Sequence, residues 1–257
     1  MKQPFLIGIG GAHSGAGKTT IAVAILKYLK THPPIYPFTP FRDESLTGFT
    51  HSPKIGAIKY TKTAFYSSII DDKSILSQED KDTKRLLDAG AEEVLWVQSP
   101  ANEINEVLPM AIDRLSHLDG IIIEGNSAIE FLKPDVVVFI AGVSKENIKR
   151  SAQGILKQAD IIIGEEPSAI GNAHKSKDLL FIARYSSQKI QKLMNYIEMT
   201  AKKKDIEEIL KKKSAEGRIT CDDARKIAEE LGIDYKEVGK TANELKIKIK
   251  DCELGCF

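Results

Sequence analysis

The residue types and spacing best suited to chemistry lie near the N-terminus, in Ala12-His13-Ser14-Gly15-Ala16-Gly17-Lys18-Thr19-Thr20. An apolar run, Phe5-Leu6-Ile7-Gly8-Ile9, enters this glycine-rich turn, and an apolar helical period from Ile21 to Leu29 leaves it. Strand, glycine-rich turn, Lys-Thr and helix together form the context that a phosphate-binding P-loop requires. Glycines allow successive backbone N–H groups to face one concavity, where they cradle a polyphosphate. The positive end of the following helix adds to that attraction. In this arrangement Lys18 reaches the β- and γ-phosphates and the Thr19 hydroxyl holds Mg²⁺. The first glycine of G-x-x-x-x-G-K-T is replaced by Ala12, a relaxed form that tightens the steric demands of the turn. The expected ligand is a nucleoside triphosphate, GTP or ATP, with Mg²⁺ as its cofactor.

A P-loop site needs a further carboxylate at the end of a buried strand on the same edge. Ile121-Ile122-Ile123-Glu124-Gly125 supplies three β-formers, an acid and a residue that permits a sharp turn. Glu124 is therefore expected to organise the metal, the alternative being a strand-end glutamate that simply meets solvent. Asp82, opening a helical segment, either stabilises that helix start or serves as a second metal-associated acid. Lys59 and Lys62 are phosphate contacts or surface cations. No residue stands out as a water-activating base, so Lys18 and Glu124 would act by positioning and charge stabilisation, and turnover would be slow.

The elements that must position these groups alternate in type. Strand-length apolar runs fall at 5–10, 55–60, 94–98, 121–124, 136–140, 161–164 and 179–183, with helical patterns at 18–30, 79–89, 101–118, 145–159 and 188–200. Several runs are continuously apolar, as when helices cover both sides of a sheet. The expected fold is α/β of the P-loop NTPase type: a mostly parallel sheet with helices on both faces, plus a small, mainly helical C-terminal domain. Residues 1–200 would form the nucleotide-binding domain and 201–257 a helix-turn-helix or winged-helix-like domain. The segment 31–56, with five of the ten prolines and several aromatics, is expected to be a loop. It is either a substrate or lid element or a surface insertion packed by its own rings.

Three stretches in order resemble the molybdopterin-guanine dinucleotide biosynthesis protein B (MobB-type) family. They are the P-loop, then Ile58-Lys59-Tyr60-Thr61 with Lys81-Asp82-Thr83 and Ala89-Gly90-Ala91, and finally Glu124-Gly125. The resemblance spans roughly residues 5 to 165. It implies a P-loop NTPase that binds GTP, acts as a homodimer and assists molybdenum- or tungsten-cofactor maturation alongside a protein partner. Residue by residue it implies phosphate binding from Ser14 to Thr20 and Mg²⁺ association at Thr19 and Glu124, with Asp82 a weaker candidate. Three positions depart from the family pattern. Tyr60 and Thr61 stand where members carry histidine near the end of the second strand. His13 occupies the place of the lysine that some relatives have five residues before Lys18. Gly164-Glu165-Glu166-Pro167 replaces the Asn-Lys-x-Asp segment that selects guanine, which leaves ATP open. Glu-Gly after the comparable strand is also found in dethiobiotin-synthetase-like enzymes. A small-molecule kinase or ATP-dependent ligase is the alternative reading.

Beyond residue 200, Ala224 to Val238 has helix-turn-helix spacing, with Ala228 at the crossing, Gly232 in the turn and Val238 as an anchor. The alternating stretch 245–250 reads as an edge strand or wing. The tail 247–257 also resembles the ends of accessory helix-turn-helix units on molybdenum- or tungsten-related proteins. From Lys202 onward there are 14 basic and 13 acidic residues, a difference of +1, so counterion release on DNA would be weak. Protein docking or dimerisation is favoured over a nucleotide-switched DNA-binding role. Cys221, Cys252 and Cys256 read as small buried residues, the alternatives being a redox pair or a metal shared across a dimer. The whole-chain charge of +1 does not favour nucleic acid or an anionic membrane as the main partner. No stretch is long enough to span a bilayer, no signal-peptide pattern precedes the first strand, and a cytoplasmic location is expected.

Overall fold

The computed structural model of the protein describes residues 3–32, 53–142, 150–164, 180–183 and 187–251. In chain order its elements are β1 (Phe5–Gly11), α1 (Lys18–Thr31), β2 (Ile55–Lys62), β3 (Ser68–Ile70), α2 (Lys73–Leu76), α3 (Asp82–Asp88), β4 (Val94–Ser99), α4 (Ile104–Arg114), β5 (Gly120–Glu124), α5 (Asn126–Leu132), β6 (Val136–Gly142), α6 (Arg150–Gln158), β7 (Ile161–Gly164), β8 (Leu180–Ala183), α7 (Ser187–Lys213), β9 (Arg218–Thr220), α8 (Cys221–Leu231), α9 (Tyr235–Glu244) and β10 (Lys248–Lys250). The chain falls into two compact units, Met1–Ile197 and Glu198–Phe257.

The first unit is built on a sheet in the order β3-β4-β2-β5-β1-β6-β7-β8, parallel except for β3 at one edge. All seven expected strands are present. Helices cover both faces, and the alternation of strand side chains sorts their partners. Ile58, Leu95, Ile123, Val137, Phe139 and Ile162 share one face, where Leu108 of α4, Ile129 of α5 and Ile155 of α6 bury them. Ile7 and Ile9 point the other way, to the side on which α1 buries Ile21, Ile25 and Leu29. β1 alternates isoleucine with glycine because α5 and α6 approach it closely. A Cβ on Gly8 would lie 2.8 Å from Pro134, and one on Gly10 only 2.7 Å from Ile155.

Several boundaries differ from the sequence expectation. α3 starts at Asp82 rather than residue 79, because Asp80 takes a left-handed φ of 64° that no helix continues through. α4 is shorter than 101–118 at both ends. α7 extends well beyond 200, since no glycine or proline interrupts the lysine-rich stretch up to Lys213. The sequence reading also lacked β3, α2 and α5. The segment 33–52, most of the proline-rich loop, lies outside the described residues, as do 143–149 and 165–179.

The second unit, by itself, joins α8 to α9 through Gly232 in the left-handed conformation at φ 58°. Thr220 caps α8 by accepting from the Asp223 amide, and Asp234 caps α9 by accepting from the Lys236 amide. Ala228 and Val238 are both buried, as their expected positions require. The alternating tail does form a strand, but β10 runs parallel to β9 and is not the hairpin of a wing. Cys221, expected to be buried, is only half-buried at the start of α8; Cys252 and Cys256 lie outside the described residues.

Candidate functional site

Parallel strands bring their carboxyl ends to one edge, where crevices for ligands form. β1 ends there in the middle of the sheet, flanked by β5 and β6. Ala12 continues the sheet by donating its amide to the Ile140 carbonyl at 2.9 Å. Its methyl group is buried, and its backbone is not in the positive-φ region. Alanine is therefore accommodated at this position without strain. The turn then uses Gly15 at φ 78° and Gly17 at φ 97°, conformations that favour glycine strongly. Gly17 is the N-cap of α1; no side chain caps this helix and no acid lies in its first turn. The positive end of α1 is thus left facing the turn.

Lys18 lays its stem across Gly11, and its Nζ donates to the His13 carbonyl at 3.3 Å. This folds the ammonium back over the turn. The His13 ring bonds the Ser14 carbonyl at 2.8 Å, while Ser14 and Gly15 are exposed and Ala16 is half-buried. Thr20 accepts from Arg85 Nη2 at 3.1 Å, so a helix across the groove touches the first turn of α1.

Glu124 and Lys59 meet because of strand register. Lys59 lies opposite Glu124 across the β2–β5 ladder, and Ile9 lies opposite Glu124 on its other side. Lys59 Nζ contacts Glu124 Oε2 at 2.7 Å and Asp82 Oδ2 at 2.5 Å. The Thr19 hydroxyl donates to the same Glu124 Oε2 at 2.9 Å. Arg85 Nη1 reaches Asp82 Oδ1 at 3.5 Å. A polar ring therefore closes through Thr19, Glu124, Lys59, Asp82, Arg85 and Thr20. Burial by itself would depress Lys59, yet the charges and hydrogen bonds of Glu124 and Asp82 outweigh it and raise its pKa. Burial likewise works to raise Asp82, but bonding to Lys59 prevails and its pKa is lowered. The Asp82 side chain bonds Lys59 and makes no capping bond, although as the acid in the first turn of α3 it still complements the positive end of that helix.

Glu124 is 0% exposed, so its charge is fully withdrawn from water. Its Oε2 takes two donors, whereas Oε1 is buried with no hydrogen-bond partner in the protein. A buried, unpaired carboxylate oxygen carries a substantial cost unless something else meets it. Beside the Thr19 hydroxyl, this pair of oxygens fits a hard cation such as Mg²⁺, which prefers a few protein oxygens and takes the rest from phosphates and water. Among the described residues no group of three or more His, Cys, Asp or Glu is placed to hold a metal by protein ligands alone. Any Mg²⁺ here would complete its shell with water or phosphate oxygens.

Three participants had little or no sequence signal. Asn126, first in α5, clamps Gly11 from both sides: its Nδ2 donates to the Gly11 carbonyl and its Oδ1 accepts from the Gly11 amide, each at 3.0 Å. This fixes the end of β1 immediately before the turn. Lys59 lay between two readings, and only the β2–β5 register makes it central. Arg85 was unremarkable in a charged helix. Lys62 is exposed at the end of β2, as a surface cation.

No protein-family model matches this chain, and no curated protein matches it. Among solved structures it is similar to HypB from Helicobacter pylori in complex with nickel, at 13% identity and a TM-score of 0.46, over 79% of this chain and 89% of that one. It is also similar to a LAO/AO transport system kinase, at 14% identity and a TM-score of 0.41, over 95% and 82% of the two chains. A third is the signal recognition particle 54 kDa protein from Aeropyrum pernix K1 in complex with GDP, at 14% identity and 0.37, over 95% and 77%. At such values the reading of the site rests on its own geometry. No helix among the described residues is long and apolar enough to cross a membrane.

Proposed function

We propose that this protein binds a nucleoside triphosphate with Mg²⁺ at residues 12–20 and hydrolyses it slowly. The observation that carries this reading is the Thr19–Glu124 pair at 2.9 Å, with Glu124 Oε1 buried and unpartnered beside the glycine-rich turn. The turn amides and the positive end of α1 receive the phosphates, and Lys18 neutralises their charge. Thr19 and Glu124 would hold the metal, and Asp82 is the weaker candidate, bonded to Lys59 in this structure. When bound, Mg²⁺ would neutralise charge on the phosphate oxygens. His13 to Thr20 position the phosphates, and water is the acceptor. Calorimetry of GTP and ATP, each with and without Mg²⁺, tests this directly. Tight, Mg²⁺-dependent binding of either is expected, and binding of neither removes the proposal.

The family resemblance supports a cellular role in molybdenum- or tungsten-cofactor maturation, as a homodimer working with a protein partner in the cytoplasm. GTP is the nucleotide implied by that resemblance, and the lack of a guanine-selecting segment leaves ATP open. A second reading, a small-molecule kinase or ATP-dependent ligase, is favoured by one observation: a lysine beyond the one a P-loop needs, Lys59, stands between Glu124 and Asp82 and bonds both. A metabolite screen for phosphate transfer, set against water-only hydrolysis, separates the two. Sedimentation of the nucleotide-bound protein tests the dimer.

A further inference from the structure

We infer that Lys59 is a built-in counter-cation that competes with the divalent metal for Glu124, so that metal enters this site only together with nucleotide. The inference rests on the Mg²⁺-nucleotide reading for the identity of the competing ion. Its basis is the sharing of one atom: Glu124 Oε2 is bonded at once by Lys59 Nζ at 2.7 Å and by the Thr19 hydroxyl at 2.9 Å. The Glu124 carboxylate and the Thr19 hydroxyl are the groups that would hold the metal, so the ion pair and the metal draw on one carboxylate. Lys59 is mostly buried, with 18% of its side chain exposed, and Glu124 is wholly buried, so their attraction is little screened. A dication placed against the same oxygens would repel the ammonium at close range. Asp82, 41% exposed and 2.5 Å from Nζ, gives that ammonium a second carboxylate to rest on when Glu124 is taken. A bare metal ion must therefore displace an ion pair without the phosphate ligands that would complete its shell. A metal arriving with a triphosphate brings those ligands with it.

The test compares Mn²⁺ binding to the whole protein without nucleotide, read from the free-ion paramagnetic resonance signal. Lys59→Met and Lys59→Gln, both neutral, should bind Mn²⁺ at least tenfold more tightly than the wild type, while Lys59→Arg should match the wild type. Neutral variants that bind Mn²⁺ no more tightly than the wild type would overturn the inference. A second measurement needs no variant: millimolar Mg²⁺ alone should leave the wild-type melting temperature unmoved, and stabilisation by Mg²⁺ alone overturns the competition. Titration with a fluorescent triphosphate is run separately. Its failure would remove the nucleotide reading, while the metal-only comparison still decides the role of Lys59.

Discussion

At the scale of single residues, the proposed function divides the site into groups that would meet phosphate and groups that would meet metal. Lys18 belongs to the first. Lys18→Ala should weaken triphosphate binding by tenfold or more, since a charge-assisted hydrogen bond contributes about 1.5–3 kcal/mol. Its far-ultraviolet circular dichroism should stay unchanged, because the ammonium rests on a loop carbonyl and not in the core. Calorimetry and the spectrum together check this, and retained affinity would refute the role given to Lys18. Glu124 belongs to the second group. Glu124→Gln keeps an acceptor for Thr19 but removes the charge, so the Mg²⁺ concentration needed for half-maximal nucleotide binding should rise severalfold. An unchanged metal titration would return Glu124 to a purely structural glutamate. Gly125 turns the chain out of β5 at φ 137°, where a Cβ would lie 3.0 Å from Tyr60 Cβ. Gly125→Ala should cost about 1–3 kcal/mol in chemical denaturation, the usual range for such backbone strain.

At the scale of elements, the site depends on how closely α5 and α6 approach β1. Gly10 leaves room for Ile155 and for the Asn126 amide that clamps Gly11. Gly10→Ala should therefore destabilise the fold by about 1–3 kcal/mol, typical of overpacking. It should also weaken nucleotide binding, because the clamp sits one residue from the turn. Denaturant midpoints and calorimetry on the same sample check both effects, and a variant with both unchanged would show that the clamp does not position the turn. These elements also show where sequence reading succeeds. β1, β5 and β6 were legible because their apolar runs are long and bounded by glycine or charge. β3 and α2 were not, being only three and four residues long. α5 follows β5 after a single glycine, and it is too short for its period to show. α3 begins later than expected because Asp80 takes a left-handed conformation, which a helical pattern in the sequence does not reveal.

At the scale of the whole molecule, binding should be visible as added stability of the sheet unit. At a hundred times its dissociation constant, Mg²⁺-nucleotide would stabilise the native state by about 2.7 kcal/mol. For a unit of this size that is a rise of several degrees in melting temperature. Calorimetric scans with nucleotide and either Mg²⁺ or a chelator measure it, and the chelator should abolish most of the shift. The second unit makes a different prediction. With its near-balanced charge it should not bind duplex DNA more tightly than about 1 μM at physiological salt, the upper range of non-specific binding. Fluorescence anisotropy decides this, and tighter, salt-sensitive binding would revive a regulatory role on DNA.

The strand, glycine-rich turn and helix near the N-terminus were already legible in residue order. Glycine spacing, Lys18, Thr19 and the helical period after them lie within one short stretch, so a strand–turn–helix cradle needs no distant contact to be foreseen. Glu124 at a strand end was legible for the same reason. Tertiary structure alone decided what stands beside Glu124. Lys59 and Glu124 are 65 residues apart and meet only because β2 pairs with β5 in one register; a shift by a single residue would turn Lys59 to the opposite face. Arg85 and Asn126 were likewise ordinary polar residues until packing brought them to the glycine-rich turn, and Asp82, a candidate acid by sequence, gained Lys59 as a partner only through the fold. Side-chain alternation within a strand can be read from a sequence, but pairing between distant strands is fixed by the packing of the whole sheet.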